Sequence, residues 1–295
     1  MDFYIVDAFT SEPFGGNPAG VVLLGKGTSF PNNALMLHIA AELRYSETAF
    51  VQQNDATEFT IRYFTPCSEV NLCGHATIAA FGVLRQTGIV ADGAVCLNHT
   101  LAGDLEVRIG QQVMMQMATP ILVEKAIDTE KLHHIMAAEA SLIWPLRPVL
   151  IVSTGLPDII LPVTDLQALE ALCPDMEALS TLSKELGVVG VHAFALSDDD
   201  FTAHVRNFAP LYDIPEESAT GTANAALTYY LFKQGIIPPS AQCRFLQGEA
   251  MQRPSVVDTT LRNGTEIFVG GESFILAKGS FHDALPTVAD HNAFI

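Results

Sequence analysis

Asn71-Leu72-Cys73-Gly74-His75-Ala76-Thr77-Ile78-Ala79-Ala80 is the stretch from which the rest of the chain is best read. The run before it, Phe59-Thr60-Ile61-Arg62-Tyr63-Phe64, is strand-like. The Ala-rich periodic run after it continues to about Gln86, with Gly88 just beyond. Residues 74–77 are therefore expected at a helix N-terminus, where backbone N–H groups lack intrahelical acceptors and the dipole favours negative charge. A carboxylate is a natural guest at such a point. Cys73 and His75 put a thiol and an imidazole beside it.

The same device recurs. Glu216-Glu217-Ser218-Ala219-Thr220-Gly221-Thr222-Ala223-Asn224-Ala225-Ala226-Leu227 opens a helix expected to run to about Lys233, with Gly235 after it. Arg62-Tyr63-Phe64-Thr65-Pro66 matches Arg206-Asn207-Phe208-Ala209-Pro210 at a spacing of 144 residues, and Cys73-Gly74-His75-Ala76 matches Thr220-Gly221-Thr222-Ala223 at 147. Two phrases in one order at nearly one spacing imply an internal duplication. The expected halves are residues 1–118, completed by a last strand at about 274–295, and residues 119–273. If they pack face to face, two helix N-termini grip a small carboxylate in the cleft between them.

Hydrophobic periodicity fills in the rest. Strands are expected at 3–9, 21–24, 46–51, 58–64, 94–99, 104–109 and 112–117, with a helix at 32–43 carrying Leu35, Ile39 and Leu43. In the second half they are expected at 149–153, 191–196, 201–208, 243–247, 256–262, 266–269 and 274–277. A helix over 176–186 carries Leu179, Leu182 and Leu186 and ends at Gly187.

Composition bounds the function. The chain has 295 residues, 49% hydrophobic and 16% charged, which suits two well-buried domains. A net charge of −18 argues against nucleic acid or an anionic membrane as partner, though not against a small anion held locally. The first residues lack a basic region followed by an apolar segment, and no run is long enough to span a membrane. Cys67, Cys73, Cys96, Cys173 and Cys243 are scattered and odd in number, as in a cytoplasmic protein with reduced thiols.

Few residues carry chemistry by themselves. Glu47, within Ser46-Glu47-Thr48-Ala49-Phe50-Val51, reads either as a general acid/base or as an exposed strand glutamate. His75 reads as a proton donor or as a structural histidine, and Cys73 as an activated thiol or a small buried residue. Glu217 is either a site residue or a first-turn acid. Asp213 and Glu216 look like solvated loop charges, His133-His134 like a surface pair, and Met114, Met115 and Met117 like core positions. Gly-x-Ser-x-Gly, G-x-G-x-x-G and Walker A patterns are absent, so neither a hydrolase elbow nor a nucleotide cofactor is indicated.

Taken together, Asp7-Ala8-Phe9-Thr10, Phe14-Gly15-Gly16-Asn17-Pro18-Ala19, Ser46-Glu47-Thr48-Ala49-Phe50, Leu72-Cys73-Gly74-His75-Ala76-Thr77, Arg206-Asn207-Phe208-Ala209-Pro210, Ala219-Thr220-Gly221-Thr222-Ala223-Asn224 and Val269-Gly270-Gly271 resemble the phenazine-biosynthesis PhzF-like proteins, within the diaminopimelate epimerase-like fold. The resemblance implies an α+β chain of two pseudo-symmetric domains, each a central helix wrapped by a curved, mostly antiparallel sheet. It implies an isomerase with a small carboxylate substrate, no cofactor and no metal, and a homodimer. Glu47 matches the family's general acid/base, which moves a proton between carbons of a small unsaturated cyclic acid. His75 and Glu217 match two further catalytic positions; the phenazine enzymes carry Asp at the latter. Ser46, Cys73, Gly74, Ala76, Thr220, Gly221, Thr222 and Ala223 are the expected substrate contacts.

Diaminopimelate epimerase and proline racemase are similar in fold and use two cysteines. Cys73 matches the first, but Thr220 stands at the second, and a Thr hydroxyl is too weak an acid/base for that task unaided. Two rivals to the isomerase stay open. One is a racemase or hydroxyproline-type dehydratase that uses Cys73, and the other is a small-molecule binding protein without turnover.

Overall fold

The structure is a computed structural model that describes residues 1–137 and 147–282. The parts of the expected halves at 138–146 and 283–295 lie outside the described residues. The chain divides into two compact units, Met1–Met115 with Gly271–Ile295, and Gln116–Gly270.

In chain order the first unit holds β1 (Asp2–Ala8), β2 (Asn17–Leu23), α1 (Asn33–Leu43), β3 (Thr48–Gln53), β4 (Glu58–Phe64), β5 (Glu69–Val70), α2 (Gly74–Gln86), β6 (Val95–Thr100), β7 (Gly103–Ile109) and most of β8 (Val113–Gln116). The second holds β9 (Ile121–Val123), α3 (Thr129–Ile135), β10 (Leu150–Ser153), β11 (Pro157–Pro162), α4 (Leu166–Ala171), α5 (Met176–Leu186), β12 (Val191–Leu196), β13 (Ala203–Ala209), β14 (Ile214–Glu217), α6 (Gly221–Lys233), β15 (Ala241–Gln247), β16 (Ser255–Arg262) and nearly all of β17 (Glu266–Gly271). β18 (Ser273–Ser280) returns to the first unit and pairs antiparallel with β1.

Each sheet wraps one helix. Residues 75–84 of α2 are buried without interruption, so the helix has no solvent face and packs on β1, β2, β3 and β18. A helix buried all round needs small or apolar residues everywhere, which is what the Ala-rich run supplies. The approach is closest at Gly82, where a Cβ would lie 1.9 Å from Ser273 Oγ of β18. α6 is buried in the same way against β10, β11, β12 and β16.

The outer face of each sheet is covered differently. In the first unit α1 places Met36, Ile39 and Ala40 on Val22, Phe50 and Phe64. In the second, α3, α4 and α5 place Leu132, Leu169, Leu179 and Leu182 on Ile159, Leu161, Val191 and Phe208.

The pairings of the two units match strand for strand. β2–β3 and β4–β6 are parallel, as are β11–β12 and β13–β15. The neighbouring pairs β1–β2, β3–β4, β4–β5 and β6–β7 are antiparallel, as are β10–β11, β12–β13, β13–β14 and β15–β16. β9 closes on β10 as β18 closes on β1. This is the expected mostly antiparallel α+β architecture.

Three expectations need correction. β3 begins at Thr48, so Ser46 and Glu47 lie in the turn before the strand. Glu216 and Glu217 lie in β14, ahead of α6, because Asn207 and Ala209 of β13 pair with Glu217 and Ile214. Glu216 is not a solvated charge. Its carboxylate accepts from Arg206 Nε and Nη2 at 2.9 Å each, and the same fork-to-carboxylate pair joins Arg62 to Glu69 in the first unit at 2.7 and 2.6 Å. Each guanidinium also lies over a strand phenylalanine, Phe208 or Phe64.

Candidate active site

Helix ends separate the site from the scaffold. α1, α3, α4 and α5 are each closed by a capping side chain: Asn32, Asp128, Asp165 and Asp175 accept backbone N–H bonds from their first turns. The two central helices are different. Their N-cap residues, Cys73 and Thr220, are extended and make no side-chain cap bond. The first-turn N–H groups of residues 74–76 and 221–223 have no intrahelical acceptor and carry the positive end of the dipole.

In the first unit four predicted residues meet at this point. The contact with His75, the second residue of α2, places the Glu47 side chain on the side that faces α2. His75 Nε2 lies 3.3 Å from Glu47 Oε2 and 3.3 Å from Ser46 Oγ. Cys73 Sγ lies 3.4 Å from His75 Nδ1 and 3.9 Å from Nε2. The Glu47 side chain is 18% exposed and that of His75 6%, so the carboxylate can meet solvent or substrate while the imidazole is held. Behind them Thr77 Oγ1 donates to the Cys73 carbonyl at 2.7 Å and bonds the buried Tyr63 hydroxyl, fixing the first turn. Gly74 and Ala76 complete that turn, with Ala76 buried and Gly74 partly exposed.

Donor atoms of Glu47, Cys73 and His75 lie within 4.8 Å of one another. A thiolate, an imidazole and a carboxylate are a set that zinc accepts. The same three groups also suffice for acid/base work without an ion.

In the second unit Thr220 Oγ1 donates to Glu217 Oε2 at 2.5 Å. Gln247, which the sequence reading missed, clamps this pair. Its Nε2 donates to the Glu217 carbonyl and to Thr220 Oγ1 at 2.8 and 3.1 Å, while its Oε1 accepts from Thr220 N and Asn224 Nδ2 at 3.1 and 2.8 Å. The network continues inwards along the inner face of the sheet. Asn207 Nδ2 donates to His192 Nδ1, leaving Nε2–H for Asn224 Oδ1, both at 3.3 Å. Full burial holds His192 down at about 3, so the ring is neutral and this tautomer satisfies both nitrogens. Gly221, Thr222 and Ala223 form the first turn of α6, and the Thr222 carbonyl accepts from Thr154 Oγ1 at 3.0 Å. The sequence gives Gln247 no motif; it ends an ordinary strand before Gly248.

His133 and His134 lie in α3, away from these groups in sequence and element. Met115 and Met117 are buried, as expected of core positions. Among the described residues no helix is long and apolar enough to cross a membrane.

Comparison with known proteins shows relatives along nearly the whole chain. The family described as phenazine biosynthesis-like protein matches residues 6–279. A Deinococcus radiodurans protein, named as an uncharacterized isomerase, is 36% identical over 93% of this chain and 92% of its own length. A Pseudomonas chlororaphis protein, named trans-2,3-dihydro-3-hydroxyanthranilate isomerase, is 30% identical over 94% of this chain and 98% of its own. Among solved structures, a Bacillus anthracis phenazine biosynthesis protein of the PhzF family superposes with a TM-score of 0.85 at 26% identity, covering 95% of this chain and 98% of that one.

Proposed function

The chain belongs to the phenazine biosynthesis-like protein family, and from that premise we propose that it is an isomerase that moves one proton between two carbons of a small carboxylic acid, with Glu47 as the acid/base. The observation that carries this reading is an asymmetry between the units. A carboxylate stands beside the uncapped helix start of the first unit, and the equivalent position of the second is Gly190. One base suits a transfer on one face.

Glu47 takes a proton from a substrate carbon, leaving an enolate-like anion, and the resulting carboxylic acid returns the proton to a second carbon. One C–H bond breaks and another forms; no electron changes hands. His75 orients the Glu47 carboxylate and donates to the substrate. The N–H groups of residues 74–76 stabilise the developing charge. Glu217, with Thr220 and Gln247, acts in the same reaction by polarising or protonating a substrate group. The named relative supports a cyclic unsaturated acid as substrate class. Glu217, one methylene longer than the family's Asp, favours a different member of that class. We further propose a cytoplasmic homodimer that needs no cofactor or metal.

The test is solvent deuterium incorporation in D₂O with a panel of cyclic dienoic, hydroxy and amino carboxylic acids. Loss of exchange in Glu47→Gln but not in Cys73→Ala is the expected result. A second reading is favoured by the 3.4 Å contact between Cys73 Sγ and His75 Nδ1, which suits a thiolate racemase or dehydratase. Loss in Cys73→Ala alone would select it. Ligand-induced thermal shifts without exchange from any compound would mark a binding protein.

A further inference from the structure

The second unit lacks a counterpart of Glu47 but has a carboxyl group on the adjacent strand. Strand pairing fixes the correspondence. Gly20 N–H donates to the Glu47 carbonyl and Ile159 N–H to the Gly190 carbonyl, and Gly20 pairs with Thr48 as Ile159 pairs with Val191. The residues before Gly20 and Ile159 are Ala19 and Asp158. The first unit therefore carries alanine on one strand and glutamate on the next; the second carries aspartate and then glycine. A Cβ at Gly190 would lie 1.8 Å from the Phe208 carbonyl oxygen, so no side chain fits there.

Asp158 shares the inner face of the sheet with His192, Asn207 and Glu217, on four successive strands. It is 1% exposed, and neither of its carboxyl oxygens has a hydrogen-bond partner. The side-chain oxygen of nearby Asn207 is also buried without one. Three buried acceptors without a donor are costly, and a proton on Asp158 turns one of them into a donor. The groups around Asp158 do not offer an alternative. On β14 Glu217 is acidic, on β12 His192 is neutral, and Asn207 of β13 and the Gly190 amide approach without hydrogen-bonding geometry.

We propose that Asp158 is a buried acid that keeps its proton at neutral pH, so that its carboxyl group serves as a donor among neighbours that offer only acceptors. Burial, and then the Glu217 charge, push the Asp158 carboxyl up to about 8. Asp158 is thus a positioning residue: it acts through Glu217, and its bearing on catalysis rests on the isomerase reading above. The proton itself does not.

The test compares wild type with Asp158→Asn, an isostere that supplies the donor permanently. An unfolded Asp ionises near pH 4 whereas the folded group holds its proton to about 8. Between about pH 5 and about pH 7 the folded wild type is therefore expected to lose about tenfold per pH unit in its folding equilibrium relative to Asp158→Asn. Infrared difference spectra of the folded wild type should show a protonated carboxylic acid band at neutral pH. That band should be absent from Asp158→Asn and should titrate at lower proton affinity in Glu217→Gln. A stability ratio that does not move with pH, or no acid band in a folded wild type, overturns the proposal. These readouts need no substrate, so they stand if the isomerase reading fails. With a substrate in hand, Asp158→Asn is expected to lose the alkaline limb of the pH–rate profile, which a purely structural role would not move.

Discussion

Glu47 and Gly190 hold matching places in the strand pairing of the two units: each lies just before a strand, and each carbonyl accepts a backbone N–H from the parallel neighbour, at 3.1 and 3.0 Å. In the first unit that place carries a carboxylate within 3.3 Å of an imidazole, and in the second it carries no side chain. Replacing Glu47 by Gln keeps the shape and removes the proposed base. Proton exchange is expected to fall by about 10²–10⁴-fold, the usual worth of a positioned acid/base, with the melting temperature nearly unchanged. Exchange that survives within a few-fold would remove Glu47 from the mechanism.

The Gly190 side of that relationship is a matter of packing. A methyl group there meets the Phe208 carbonyl oxygen at 1.8 Å and the Ala209 Cα at 3.1 Å, both backbone atoms that cannot swing aside. Gly190→Ala is expected to destabilise the protein by about 3 kcal/mol, at the upper end for overpacking. Urea denaturation measures it, and a cost below about 1 kcal/mol would mean that the strands part easily.

The paired arginines offer a comparison within one molecule. Arg62 and Arg206 make the same bidentate bond to Glu69 and Glu216, but Arg206 also donates Nη1 to the carbonyls of Leu169 and Leu172 at the end of α4, at 3.1 and 2.9 Å. Its pair is also less exposed, 14% and 16% against 21% and 20%. Glu216→Gln is expected to cost about 2–3 kcal/mol and Glu69→Gln about 1–2 kcal/mol. Reversal of that order in chemical denaturation would count against a role for Arg206 in holding α4.

Much of this was legible before the structure. Both ends of α5 follow from its leucines at helical spacing and from Gly187, which takes the left-handed turn that ends it. α2 and α6 declared themselves by Ala-rich runs behind Cys73-Gly74 and Thr220-Gly221. What failed was short or long-range. β11 is a six-residue apolar run with proline at both ends, and α4 is only six residues long, too short for a period to register. Glu216 looked solvated because its partner, Arg206, is brought to it by strand pairing. Asp158 was invisible for the same reason. It reads as one acid in an apolar strand until Gly190 on the next strand shows which place it fills.

Acid–base balance elsewhere gives a pH prediction. His99 is bonded through both ring nitrogens, to Asp104 and Glu58 at 2.7 Å each, and these bonds hold it above the ordinary histidine range. Burial pulls His204 down, but its bonds to Asp199 and Glu249 outweigh that and also leave it raised. A raised histidine stabilises the fold fully below its unfolded pKa, about 6.5, and the contribution is lost as pH rises through the folded value. The melting temperature is expected to fall as pH rises above about 6.5, and His204→Gln should flatten part of that fall. A pH-independent melting curve in this window would contradict both clusters.

The last prediction turns on whether Glu47 is a base or a ligand. Glu47, Cys73 and His75 bring a carboxylate, a thiol and an imidazole within 4.8 Å, and zinc would find three protein ligands there. A carboxylate bound to a dication is a far weaker base and is poorly suited to taking a proton from carbon. If Glu47 works as proposed, dialysis against EDTA leaves proton exchange intact and added zinc inhibits. Cys73→Ala then weakens that inhibition by about 100-fold, since losing a direct ligand costs at least as much as losing a group that supports one. Activity that disappears with EDTA and returns with zinc would reverse the assignment. The cluster would then be a catalytic metal centre, and the proton would have to be carried by a group other than Glu47.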